Sequence, residues 1–337
     1  MTVTVAVTKE ADLKSKFTGA LIGTAVGDAL GAPMEGWSFE KVRSVYGNCN
    51  YYNSYSNKKG WKMVCRYYTD DTEMMIGVAE SLIRNNGFDG ADMARTFVQN
   101  AKRKRWYGPG TMEVLERIRA GESWEDASGK LFDGEGSYGN GAAMRIAPAA
   151  LFYYDNPDML REVAYKSSHI THSHRLGTEG AVLQAFAIAL AVLRREKEGM
   201  LADLRESLQD NAYIYSEKLK AVETLMAKGG GKEDVIAELG TGEAAFNSVP
   251  TAIYSFLCTD NFEDAVSYAV SLGGDTDTIG AMTGAISGAY YGAECIPDEW
   301  LSQLEEGKKG KSYIIWLADE LYYRYYFLRL KFCETFC

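Results

Sequence analysis

Two short segments concentrate the carboxylates and hydroxyls of this chain. One is Thr69-Asp70-Asp71-Thr72-Glu73, within YTDDTEM; the other is Asp275-Thr276-Asp277-Thr278, within GGDTDTIG. Each runs into apolar sequence with helical spacing. Taken singly, each reads as a helix cap, because Thr or Asp at an N-cap accepts backbone N–H bonds and Asp70 with Glu73 approximates a capping box. A cap, however, needs one or two polar groups, and here paired carboxylates stand with paired hydroxyls twice over. Adjacent carboxylates repel unless a cation lies between them. Asp and Thr supply hard oxygen ligands of the kind favoured by Mg²⁺ and Mn²⁺. Two such clusters suffice to cage two metal ions roughly 3.5–4 Å apart, the spacing of two-metal hydrolases. The double glycine Gly273-Gly274 allows the tight turn that would bring the second cluster in.

Between the clusters lies FDGEGSYGNGAAMR, Phe132 to Arg145, whose glycines (Gly134, Gly136, Gly139, Gly141) let backbone amides approach a ligand. A helix is expected to begin near Ala142, so these amides and the helix dipole would make a diphosphate cradle. Phe132 and Tyr138 offer rings for stacking on a planar base. By itself such a loop is equally an ordinary glycine turn. All three histidines sit in SHITHSH, as His169, His172 and His174. Their spacing does not suit a zinc site on one helix face, where i, i+4 pairs are expected; a ligand contact or a satisfied turn residue are the readings left. Glu35 follows Pro33, which stops the first helix and places the acid in a loop. There it is either a solvated carboxylate or a mobile acid reaching a metal or a substrate hydroxyl.

The elements that must position these groups are helices. Helical periodicity covers 17–32, 71–85, 91–104, 111–120, 142–154, 157–170, 177–197, 212–227, 262–272, 277–291 and 313–332. Strand candidates are few: Thr2–Val7 and Trp61–Tyr68. Small residues in the first helix allow close helix packing. The expectation is an all-α fold, a single compact multi-helix domain over 1–337 with a short N-terminal arm at 1–12. The flexible KGGGKE at 228–233 marks a soft lobe border. The two clusters lie far apart in sequence, so if they cooperate they must meet in space.

Composition narrows the function classes. The chain has 337 residues and a formal net charge of −10, which argues against sequence-specific nucleic-acid binding through bulk electrostatics. A small phosphate held by backbone amides is not excluded. No apolar run approaches the ~20 residues of a membrane span, and the N-terminus lacks the basic segment of a signal peptide. The six cysteines follow no framework or zinc spacing and read as reduced thiols of a cytoplasmic protein, expected to be a monomer.

Together the pieces GALIGTAVGDALGAPMEG, YTDDTEM, GSYGNGAAMRIAPAAL, ITHSH and SLGGDTDTIGAMTGAISGAYYG resemble the ADP-ribosylglycohydrolase family, the dinitrogenase-reductase-activating glycohydrolase and ADP-ribosylhydrolase group. They occur in the family's order, and an ordered five-part match is far more specific than any one piece. The resemblance implies a compact all-α domain around a binuclear Mg²⁺ or Mn²⁺ centre that acts on an ADP-ribosylated protein or ADP-ribose conjugate. Carried over by position, Thr69, Asp70, Asp71, Asp275, Asp277 and Thr278 would hold the two metals. Glu35 would stand near the scissile bond, with Asp70 and Asp277 in the catalytic set. Gly136, Ser137, Tyr138, Gly139, Asn140 and Gly141 match the loop that holds diphosphate and ribose. Phe132 and Tyr138 resemble the pair that sandwiches adenine, His172 the ligand-contacting histidine, and Gly108 and Gly110 a second glycine turn lining the cleft. The wording is nearest the ADP-ribosylhydrolase-3 branch, which acts on O-linked (serine) ADP-ribose. The alternatives are an arginine-linked (N-glycosidic) hydrolase and a non-catalytic ADP-ribose-binding member. A two-metal phosphoesterase would lean on metal-binding histidines, which SHITHSH matches poorly. Residues 196–245 carry no matching motif.

Overall fold

The structure, a computed structural model, describes residues 2–46, 67–209 and 212–335. These form sixteen α-helices: α1 (Thr2–Gly31), α2 (Phe39–Tyr46), α3 (Asp70–Asn85), α4 (Gly90–Asn100), α5 (Pro109–Arg119), α6 (Ala147–Tyr153), α7 (Pro157–His169), α8 (Arg175–Val192), α9 (Lys197–Glu206), α10 (Tyr213–Lys228), α11 (Lys232–Glu238), α12 (Ala245–Leu257), α13 (Phe262–Val270), α14 (Thr276–Tyr291), α15 (Asp298–Gln303) and α16 (Lys311–Thr335). Among the described residues the only β-structure is two isolated bridges, Trp37 with Gly274 and Gly139 with Ala244. The fold is all-α around one main core.

At its centre α1 lies against α14, ringed by α3, α6, α8, α12, α13 and α16. Glycines at four-residue spacing make this contact possible. Gly19, Gly23 and Gly27 of α1 face Gly288, Gly284 and Gly280 of α14 so closely that a methyl on Gly23 would stand 2.2 Å from the Gly284 carbonyl oxygen. Backbone touches backbone along this stripe, and no side chain fits between. The ladder ends at Gly31, whose carbonyl accepts a hydrogen bond from the Thr276 hydroxyl at 2.8 Å. The start of α14, with its acidic cluster, is thereby fixed at the C-terminal end of α1.

Periodicity placed most helices within a few residues. Three expectations need correction. Thr2–Val7 is the first part of α1, not a strand. Its β-branched residues cost only a few tenths of a kcal/mol each in a helix, and without Gly or Pro the run continues into a helix already anchored by packing, where adding turns is favourable. The expected helix from Ala142 is broken: a 3₁₀ turn spans Asn140–Ala142 and α6 starts at Ala147, with Pro148 in its first turn. The run 177–197 ends at Val192, and α9 follows separately. The other strand candidate lies mostly outside the described residues at 61–66; Tyr67 and Tyr68 carry no regular structure.

α8 is long and apolar enough to cross a membrane, but 78% of it is buried inside the fold. An apolar helix covered on all sides is a core helix. Cys258 and Cys295 are free thiols; Cys49, Cys65 and Cys337, and the side chain of Cys333, fall outside the description.

Candidate active site

The two acidic clusters, about two hundred residues apart, meet where the N-termini of α3 and α14 converge on the C-terminal end of α1. Thr69 is the N-cap of α3, its hydroxyl accepting from the Asp71 N–H and donating to Asp71 Oδ2 at 3.0 Å. Capping is thus part of the first cluster's role, though not through Glu73. That side chain is fully buried in a separate network with Lys102, Arg105 and Tyr107. At α14 Asp275 occupies the N-cap position without making a side-chain cap bond. Its carboxylate is spent elsewhere: Oδ2 accepts from Asn140 Nδ2 at 2.5 Å.

A residue not singled out from the sequence, Asp28 of α1, lies beneath both clusters. Fully buried, it accepts from the Thr69 N–H (3.0 Å), the Thr72 N–H (3.1 Å) and the Thr72 hydroxyl (2.5 Å). Its signal was an Asp inside an otherwise small and apolar helix. Burial pushes its pKa up to about 6 against these hydrogen bonds. Burial first, then neighbouring carboxylates, also raises Asp70, Asp71 and Asp277 well above the ordinary range; Asp28, Asp70, Asp71, Asp275 and Glu35 are the charges responsible. Asp71 Oδ1 is buried without a hydrogen-bond partner.

Among the described residues no three acidic, histidine or cysteine side chains close on one point at coordination distance. The arrangement is an open cup of mutually repelling carboxylates. Its donors are hard oxygens only (Thr69, Asp70, Asp71, Asp275, Asp277 and Thr278), all buried except the half-buried Asp70. That set, with an orphaned carboxylate oxygen, fits Mg²⁺ or Mn²⁺ better than thiophilic or imidazole-seeking metals.

Glu35 stands at the mouth. A 3₁₀ turn, Ala32–Met34, follows α1 and delivers it there, exposed at the rim. The Gly36 N–H donates to Gly274 O and the Gly274 N–H to Trp37 O, clamping this loop to the second cluster. Gly273 and Gly274 have φ of +75° and +78°, and a methyl on Gly274 would meet Thr241 O at 2.2 Å, so only glycine serves. A cleft of about 370 Å³ opens between Glu35, Gly36, Gly242, Glu243, Gly274 and Asp275. Partial burial, Asp275 and Glu243, in that order, raise the pKa of Glu35.

Glu243 belongs to a stretch in which the sequence showed no motif. The segment 241–246 is the missing wall of the site. Thr241 O accepts from the Asp275 N–H, Glu243 O from the Asn140 N–H, and Tyr138 O from the Ala245 N–H; the Phe246 ring lies 6.1 Å from that of Tyr138. The short connection that leads into α12 thus ties the acidic cup to the glycine loop. These are backbone bonds, which leave little trace in residue type.

The glycine loop faces the cup as expected, but without a helix behind it; the α-helical dipole proposed to assist it belongs to α6, which starts five residues later than expected. Gly136 has φ +73°, and the Gly139 N–H donates to Ser137 Oγ at 3.1 Å. Phe132 and Tyr138 are exposed, the Tyr138 ring standing between those of His174 and Phe246 at 5.6 and 6.1 Å. Gly110 lies against Leu131 and Phe132, and Gly108 opens onto empty space at the start of α5, so this turn borders the same groove. The three histidines do three different things. His169 stacks on Tyr165, and His174 Nδ1 accepts from the Leu176 N–H as the cap of α8. His172 packs its buried ring against the loop glycines Gly139 and Gly141, while the His174 ring also meets the loop, edge-on to Tyr138 with centroids 5.6 Å apart.

The sequence model of the ADP-ribosylglycohydrolase family matches residues 9–328. The chain belongs to the ADP-ribosylglycohydrolase family. It is 36% identical over 326 residues to ADP-ribosylhydrolase ARH3 of Mus musculus, covering 86% of this chain and 88% of the relative. It is 29% identical over 290 residues to the ADP-ribosyl-[dinitrogen reductase] glycohydrolase of Rhodospirillum rubrum, covering 85% and 89%. Among solved structures it is similar to an ADP-ribosylglycohydrolase-related protein complex, with TM-score 0.68, 29% identity, and 94% and 99% of the two chains covered. For this ADP-ribosylglycohydrolase family member, the five sequence pieces that suggested the likeness supply residues of the cup and the loop facing it, and two of them also form the α1–α14 contact beneath.

Proposed function

We propose that this chain hydrolyses the glycosidic bond joining ADP-ribose to a modified target, with two Mg²⁺ or Mn²⁺ ions as cofactors. The observation that carries this reading is the meeting of two distant acidic clusters in one buried cup opposite a glycine loop. Thr69, Asp70, Asp71, Asp275, Asp277 and Thr278 would hold the ions. Divalent cations there supply Lewis acidity and offset the carboxylates' repulsion.

The remaining steps fall to the chain's own groups. Gly136, Gly139 and Asn140 spend their amides within the fold, so the amides of Ser137, Tyr138 and Gly141 bind the diphosphate, and Phe132 and Tyr138 take the adenine between their rings. Carboxylates beside the anomeric carbon stabilise the positive charge that develops there. Glu35, exposed at the mouth of the cup, would protonate the leaving group or orient its hydroxyl.

The O-linked (serine) conjugate is the first substrate, on the greater likeness to the ADP-ribosylhydrolase-3 branch. One observation favours the arginine-linked alternative: Glu35 and Glu243 flank the mouth, and a carboxylate pair complements a guanidinium. A release assay on serine-, arginine- and acid-linked ADP-ribosyl substrates decides between them. Release from the serine conjugate, abolished by exhaustive chelation and restored by Mg²⁺ or Mn²⁺, is expected. Full activity after chelation sinks the metal mechanism. ADP-ribose binding without turnover on any linkage makes the chain a binding protein.

A further inference from the structure

Beneath the glycine loop lies a cation that makes no carboxylate ion pair among the described residues. Arg145 has no exposed surface. Its Nη1 donates to Gly141 O at 3.2 Å and to Thr171 Oγ1 at 2.7 Å, its Nη2 donates to Ser167 O at 3.0 Å, and the guanidinium packs 4.7 Å over the Phe97 ring. Thr171 Oγ1 in turn lies 2.7 Å from His172 Nδ1.

We propose that Arg145 and Thr171 are positioning residues that hold His172 as its Nε2–H tautomer, so that the groove presents one fixed N–H donor to an oxygen of the bound ligand. Arginine only donates, so the Thr171 oxygen must accept from it and its own hydrogen is left to give. Thr171 is fully buried, and among the described residues His172 Nδ1 is the acceptor its hydroxyl meets. Were Nδ1 protonated instead, a buried hydroxyl hydrogen would go unsatisfied, at a cost that buried polar groups seldom bear. Nδ1 therefore accepts, and the ring proton sits on Nε2. That nitrogen is on the loop side, 2.8 Å and 3.4 Å from where methyls on Gly141 and Gly139 would stand. The same guanidinium holds Gly141 O, so one charge fixes both the loop and the histidine facing it. Burial and the charge of Arg145 keep the ring neutral, with its pKa lowered to about 3.

The identity of the ligand rests on the ADP-ribose reading above; the tautomer does not. Long-range ¹H–¹⁵N correlation spectra of histidine-labelled protein, with His172 assigned through His172→Gln, read the tautomer directly in the ligand-free enzyme. The expected pattern is a protonated Nε2 and a bare Nδ1. Thr171→Val should lose this single pattern and weaken ADP-ribose binding about tenfold, the worth of one good hydrogen bond. Thr171→Ser, which restores the hydroxyl, should restore both. A protonated Nδ1 in the native protein, or an unchanged tautomer in Thr171→Val, overturns the proposal. If the native protein shows the expected tautomer and its loss in Thr171→Val but binds no ADP-ribose, the positioning role stands and the ligand assignment falls.

Discussion

Asn140 and Asp275 share a hydrogen bond of 2.5 Å across 135 positions of sequence. The amide that donates it also donates to Ser248 Oγ at 3.0 Å, and its backbone N–H reaches Glu243 O. A single residue therefore registers the glycine loop against the acidic cup. Asn140→Asp would remove the donor and set a further carboxylate against Asp275, which like-charge repulsion penalises. Release of ADP-ribose should fall at least about tenfold in kcat/KM, or ~1.4 kcal/mol of transition-state stabilisation. Unchanged kcat/KM would show that loop and cup work independently.

The glycine ladder makes a sharper stability prediction. A methyl on Gly284 would stand 2.1 Å from Gly23 O, a backbone atom that cannot swing aside, whereas one on Gly129 meets nothing within 4 Å. Gly284→Ala should cost at least ~2 kcal/mol by overpacking. Gly129→Ala should stay within about 0.5 kcal/mol. Urea unfolding of the two variants beside the native chain tests the difference; equal midpoints would mean that the two helices are not in backbone contact.

Acid sensitivity follows from His172. Its pKa is lowered from 6.5 to about 3, by burial first and then by Arg145. Between those values the unfolded chain binds a proton that the folded chain does not, so this residue's contribution is retained above pH 6.5 and lost as pH falls toward 3. Relative to His172→Gln, which cannot titrate, the native protein should lose about 1.4 kcal/mol for each pH unit below 6.5. Chemical denaturation of both proteins from pH 7 to 5 measures it. A stability difference that does not change with pH contradicts a buried, neutral His172.

Glu243 should tune Glu35. Partial burial, Asp275 and Glu243 raise the Glu35 pKa, so Glu243→Gln removes one of the three causes. Whichever limb of the kcat/KM–pH profile reports Glu35 should then move toward lower pH. A profile shifted upward, or not at all, would place Glu243 outside the electrostatics of the mouth.

How much of this was legible in the sequence depends on what carried it. The acidic clusters were visible because carboxylates and hydroxyls are read directly from residue type, in Thr69-Asp70-Asp71 and in Asp275-Thr276-Asp277-Thr278. α3, α7 and α14 were visible through periodicity, and Gly273-Gly274 through the turn they require. Asp28 was obscured because a lone buried acid is not periodic and its partners, Thr69 and Thr72, lie more than forty positions away. The 241–246 wall was invisible for another reason. It is assembled from backbone bonds to Asp275, Asn140 and Tyr138, and such bonds are indifferent to side chains. Thr2–Val7 misled because β-branching biases short isolated segments, whereas this one extends a helix held from its far end.

The closeness of α1 and α14 also has a consequence in time. Gly31 and Thr276 are 245 positions apart, so at ordinary synthesis rates the first helix leaves the ribosome roughly 12–50 s before its partner exists. Until then its glycine stripe has nothing to lie against, and the carboxylates of Asp70 and Asp71 lack their counterparts. Assembly of the cup is therefore a late event of biogenesis. A nascent chain stalled anywhere before position 276 should carry no fraction of the final activity.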